Sequence, residues 1–126
     1  SHQIALRKLN KLEKEELWQK GFVKEYHSNI TEIIREYFEK QFDLPALERT
    51  TTESLKLLSK HPQGIKVLDI TSQFFNNADL VKFAKFIPLE IVNHEMMTQA
   101  KEIVIKTISI QKQVETESDI QEAANV

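Results

Sequence analysis

The stretch "GFVKEYHSNITEIIREYFEKQF", residues 21–42, decides the fold class. Phe22, Tyr26, Ile30, Ile33, Tyr37 and Phe42 recur at steps of three to five residues, and Val23, Ile34 and Phe38 widen the same stripe. A half-buried strand alternates with period two; this spacing belongs to a helix with one broad apolar side. Glu25, Glu32, Arg35, Glu36, Glu39 and Lys40 fall largely opposite. Surface pairs such as Glu32–Arg35 and Glu36–Lys40 contribute roughly a few tenths of a kcal/mol, so burial of the aromatic stripe must carry the fold. The helix is expected to end in "DLP", residues 43–45, because the residue before Pro45 avoids helical angles.

On the N-terminal side, residues 4–20 read as a helix with Leu6, Leu9, Leu12, Leu17 and Trp18 on its apolar side. Gly21 is the expected stop, since glycine accepts left-handed backbone angles at little cost. On the C-terminal side, Thr50 and Glu53 have the spacing of a capping box ahead of Leu55, Leu57 and Leu58. "HPQG", residues 61–64, is a break. Residues 65–75 read as a fourth helix with Val67, Ile70 and Phe74 on one side. The β-branched 65–71 run is equally consistent with a short strand or a winged-helix-like variation.

Asn76 or Asn77 can cap a short helix over residues 80–86. There Leu80, Phe83, Ala84 and Ile87 take core spacing, and Lys82 and Lys85 lie on the solvated flank with their stems along apolar surface. Pro88 suits the first turn of a long helix whose stripe is Leu89, Val92, Met96, Ala100, Ile103 and Thr107. From Gln111 onward the chain is polar and acidic. The expected architecture is therefore an all-α, compact bundle of five or six helices over residues 1–110, with 111–126 a frayed tail.

Composition agrees with helices: only two glycines and three prolines in 126 residues, too few for the turns of a sandwich or barrel. Forty per cent hydrophobic and 29% charged residues allow a core without metal or disulfide support. There is no cysteine, which excludes disulfides, thiolate zinc sites and thiol catalysis. A formal charge of −2 gives no overall attraction to phosphate backbones.

No motif for chemistry survives scrutiny. "HEMMT" at His94 begins like a zincin, but Thr98 stands where the second histidine ligand is needed. His27, His61 and His94 are scattered, the serines lack a nucleophile elbow, and two isolated glycines make no phosphate-cradling loop. Neither catalytic residues, metal ligands nor cofactor are expected. The rival reading is a helix-turn-helix nucleic-acid module using Lys56, Lys60, Lys66, Lys82 and Lys85. Against it stand the acidic balance and the lack of an arginine-rich recognition helix. An enzyme whose site is invisible in sequence is the third reading.

Three blocks carry a resemblance: residues 5–55, "NNADLVKFAKFIP" and "AKEIVIKT". Its sharpest parts are Trp18 and Gly21 before "KEY", then "REY", "PALE" and "ADLVKFA". Across residues 4–108 the chain resembles the cytoplasmic C-terminal domain of BatD-type aerotolerance proteins and related membrane proteins encoded beside MoxR-type ATPases and von Willebrand factor A proteins. The resemblance implies a fragment that follows a membrane anchor before residue 4, held at the cytoplasmic face of the inner membrane. It implies a non-catalytic domain that docks a MoxR-type ATPase or a von Willebrand factor A protein, with no nucleic acid expected. It transfers no catalytic residues. Its pattern of Trp18, Gly21, Tyr26, Tyr37, Pro45, Thr50, Glu53, Asp79, Phe83 and Pro88 reads as packing and termination, with Asp79 near a helix start. Lys82 and Lys85 are the candidate interaction surface.

Overall fold

The aromatic stripe of residues 21–42 becomes α2 (Val23–Phe42), with Tyr26, Ile30, Ile34, Tyr37, Phe38 and Phe42 all buried, whereas Phe22, expected in the stripe, precedes the helix and is exposed. The computed structural model describes residues 2–124, with side chains described through residue 108. α2 ends where Asp43 turns left-handed (φ 55°) and donates its N–H to the Phe38 carbonyl. It is the central helix of an all-α bundle of five helices that contains no strand among the described residues.

α1 (His2–Glu15) runs antiparallel to α2 and buries Ala5, Leu9 and Leu12. It stops five residues earlier than its periodicity predicts, because Glu16 turns left-handed at φ 51°. That turn folds Leu17 and Trp18 back against the core, and the Phe22 N–H closes it on the Leu17 carbonyl at 2.8 Å. Gly21 adopts φ 95° within the same connection.

Thr50 caps α3 (Thr51–Ser59): its Oγ1 accepts the Glu53 N–H at 3.2 Å, and its hydroxyl donates to Glu53 Oε1 at 3.1 Å. After the break at 61–64 the chain forms a 3₁₀ turn, Gly64–Val67, and then α4 (Leu68–Phe83). The 65–71 segment is thus helical. Gly64 passes so close to α3 that a Cβ would stand 2.6 Å from Leu58 Cδ1, and Val67, three residues on, is fully buried.

α4 corrects the reading of residues 76–87. It runs unbroken through Asn76 and Asn77, and neither caps a helix. Thr71, Phe74, Phe75, Ala78 and Val81 form its buried side at helical spacing. Continuing that stripe through Ala78 and Val81 turns Leu80 and Phe83 outward, and Ala84 and Ile87 in the following connection are exposed as well. Pro88 is buried but precedes α5 (Glu90–Ala124) and does not occupy its first turn. Met96, Met97, Ala100, Ile103, Val104 and Thr107 form the buried stripe of α5, whereas Leu89 and Ile91 are exposed. The backbone of α5 is helical to Ala124; the side chains of the 111–126 segment, expected to be a frayed or disordered tail, lie outside those described.

Contacts along the helices set their directions. Asn93 meets Tyr26 and His27, and Thr107 meets Tyr37, so α5 runs parallel to α2. Phe75 meets Phe38 while Ala78 and Asp79 lie beside Ser28 and Thr31, so α4 runs antiparallel to α2. The α4–α5 connection therefore lies at the end of the bundle where α2 begins. Residue 2 lies at the opposite end, roughly 30 Å away by the length of a 20-residue helix.

Candidate functional site

The turn from α4 into α5 presents large apolar side chains to solvent. Phe83 is 74% exposed, Ile87 83% and Leu89 74%, with Leu80, Phe86 and Ile91 at about half. Six such residues within a dozen positions expose on the order of several hundred Å², comparable with or above the largest apolar patch on an ordinary monomer. Isolated exposed leucines are normal, but this concentration is not.

Both flanks of the corner are held. At the α4 end Lys85 adopts left-handed φ 51°, and the Ala84 and Phe86 N–H groups both donate to the Leu80 carbonyl at 3.2 Å. At the α5 end Asn93, itself buried, accepts two hydrogen bonds from α2. The Tyr26 hydroxyl donates to the Asn93 carbonyl at 2.8 Å. His27 Nε2 donates to Asn93 Oδ1 at 2.6 Å, which fixes the tautomer because an amide oxygen only accepts. Burial lowers the His27 pKa against the opposing pull of this hydrogen bond, so the ring is held neutral. Its Nδ1 is buried with no partner among the described residues. Burial likewise pushes the Tyr26 phenol well above its ordinary value. Tyr37 is raised by the same cause, less an offset from its hydrogen bond with Thr107.

Behind the corner, between α2 and α4, lies an open groove of about 390 Å³ lined by His27, Thr31, Arg35, Leu47, Asp79 and Lys82. Arg35 is its structural hub. Its Nη1 donates to the Ala46 and Arg49 carbonyls (3.1 and 2.9 Å) and to Ser54 Oγ (3.0 Å), while the guanidinium lies 4.4 Å from the centre of the Phe75 ring. One side chain thus ties the 43–50 connection and α3 to α2. Desolvation lowers the Arg35 pKa and the Asp79 charge offsets it. Asp79 is therefore not at a helix start: it lies inside α4, facing this guanidinium across the groove.

The other singled-out residues disperse. Tyr26 and Tyr37 are interior, Trp18 is half-buried against the core, Pro45 is exposed beside buried Ala46, and Phe83 is on the outside. Lys82 and Lys85 both belong to the exposed corner, and Lys82 Nζ lies 5.1 Å from the Phe83 ring centre. Of the five lysines of the nucleic-acid reading, Lys56 lies in α3 and Lys60 caps its end, Lys66 precedes α4, Lys82 lies near the far end of that 16-residue helix, roughly 24 Å away, and Lys85 follows it. His27, His61 and His94 do not converge, and among the described residues no group of three His, Asp or Glu side chains could hold a metal ion. No described helix is long and apolar enough to cross a membrane.

Sequence reasoning missed Arg35, read as a solvated residue, and the His27–Asn93 pair, whose members lie 66 positions apart. A signal existed for Asn93: it interrupts the apolar spacing of Leu89, Val92, Met96 and Met97. No family model, curated protein or solved structure matches the chain.

Proposed function

We propose that this domain is a non-catalytic protein-docking module whose contact surface is the apolar corner at residues 80–91. One observation carries the reading: Phe83, Ile87 and Leu89 are placed outward by a turn whose two flanks are hydrogen-bonded. Pre-organisation of that kind lowers the ordering cost of association. The polar interior supports the same reading, since the Tyr26, His27 and Arg35 hydrogen bonds are spent on joining helices. An exposed apolar area of this order approaches the roughly 800 Å² per partner of a standard interface.

The sequence resemblance supplies partner candidates, a MoxR-type ATPase or a von Willebrand factor A protein, and an anchor before residue 4. With that anchor in place, the corner faces away from the bilayer, toward partners at the far end of the bundle. The test is titration of the domain with the cytoplasmic regions of the neighbouring ATPase and von Willebrand factor A protein. Binding by tens of micromolar that is lost in Phe83→Ser/Ile87→Ser supports the proposal. Absence of binding in that range, or binding indifferent to the double substitution, contradicts it.

A further inference from the structure

We infer that the contact between His27 and Asn93 is a pH-sensitive latch, which frees the first turns of α5 from α2 under mild acid. The latch sits where the chain has little else to hold it. Between Val81 and Met96 only Pro88 and Asn93 are buried, while Leu89 and Ile91 are exposed and Val92 is half-buried. The start of α5 is therefore joined to α2 chiefly through Asn93, by the Tyr26 hydroxyl and His27 Nε2, before the buried apolar stripe begins at Met96. The Tyr26 bond does not titrate in the acidic range, because burial raises the phenol. His27 is the member of the pair that can respond.

Its Nε2 already donates to Asn93 Oδ1, so an incoming proton must settle on Nδ1. That atom is buried with no partner among the described residues. Protonation in place therefore creates a buried charge and a buried donor without an acceptor. Lifting Asn93 away opens the ring to water and removes both costs. The surroundings offer no compensation. Glu32 and Asp79 line the adjoining groove, but Arg35 and Lys82 line it too, and the groove carries no net negative charge. On the other side, beyond the Tyr26 ring, lie Glu13 of α1 and His94 of α5, and Glu90 is exposed one turn before Asn93. None of these groups bonds to the imidazole among the described residues. Because burial keeps the closed ring neutral below its ordinary range, the open state binds more protons and gains as pH falls. The latch belongs to the fold and is independent of whether the corner docks a protein.

The test is amide hydrogen exchange of the whole chain, read by NMR at pH 7 and pH 5.5 and corrected for the intrinsic rate. The amides of residues 94–98 are compared with those of residues 34–42, which lie in the sealed part of α2. Residues 94–98 should open about three- to tenfold more readily at the lower pH. They should stay less protected than residues 34–42 and respond little to dilute urea, as a local opening does. His27→Gln keeps a donor toward Asn93 but cannot titrate, and should abolish the pH response. Asn93→Asp sets a carboxylate against the imidazolium and should suppress or reverse it. His94→Gln should leave it in place. Equal protection of the two segments, with equal urea dependence, would mean that His27 is reached only by global unfolding and overturns the latch. So does an absence of any pH response at residues 94–98, or a response that survives His27→Gln.

Discussion

Phe38 and Phe83 lie in stretches of similar composition, and the bundle treats them oppositely. Around Phe38, the Phe42 and Phe75 rings approach within 5.8 and 6.4 Å, the stripe is sealed, and the neighbouring Tyr37 hydroxyl finds Thr107 inside the protein. Around Phe83, no described ring or helix covers the side chain, and only the Lys82 ammonium lies over it. Hydrophobicity alone therefore does not assign a residue to the core; the register of its helix does. One region holds the fold, and the other is held out by it.

The largest effect should come from the sealed region. Phe38→Ala is expected to cost about 3–5 kcal/mol of unfolding free energy, through lost transfer energy and a residual cavity. Urea denaturation checks this, and a loss below about 1 kcal/mol would erase the contrast with Phe83.

Asn93→Ala comes next, at about 1–3 kcal/mol, because His27 Nε2 and its buried ring lose their acceptor. The same site predicts a pH dependence. The folded-state pKa of His27 lies below its unfolded value of about 6.5, so the folded protein binds fewer protons in that window. Its contribution is complete above that value and is lost as pH falls from there through the folded pKa. Urea midpoints at descending pH should therefore drop for the wild type between neutrality and the onset of carboxylate titration, and His27→Gln should flatten that part of the curve. A midpoint that rises as the pH falls through that range would contradict the assignment.

Thr50→Ala should cost about 1 kcal/mol, the usual loss for an N-cap hydroxyl. Lys85→Gly should go the other way, gaining about 0.5–1 kcal/mol by relieving a left-handed side-chain-bearing residue. Both are read from urea midpoints. If Lys85→Gly destabilises the domain, the corner is not held as described.

The sealed side of this contrast was legible in the sequence, whereas the exposed side was read as core. The 21–42 stripe is long, aromatic and of helical spacing, and the Thr50–Glu53 cap is local, so short-range rules suffice for both. Residues 76–91 defeat those rules. Paired asparagines favour a cap, yet Ala78 and Val81 continue the stripe of Phe74, and a small alanine carries too little hydrophobic signal to outweigh them. The turn at Glu16 was similarly hidden, because it is made by a non-glycine residue and driven by the burial of Leu17 and Trp18. Arg35 was hidden for a different reason. Its partners at 46, 49, 51 and 54 are spread over the 43–50 connection and the first turn of α3, whose path only the fold defines.

The central claim is that the corner contributes recognition surface and not stability. Equilibrium urea unfolding of Phe83→Ser/Ile87→Ser beside the wild type tests it most directly. The account predicts a difference within about 0.5 kcal/mol per substitution, as for ordinary surface positions. A combined loss of about 3 kcal/mol or more, on the scale of core truncations, would place these side chains in the core and contradict it.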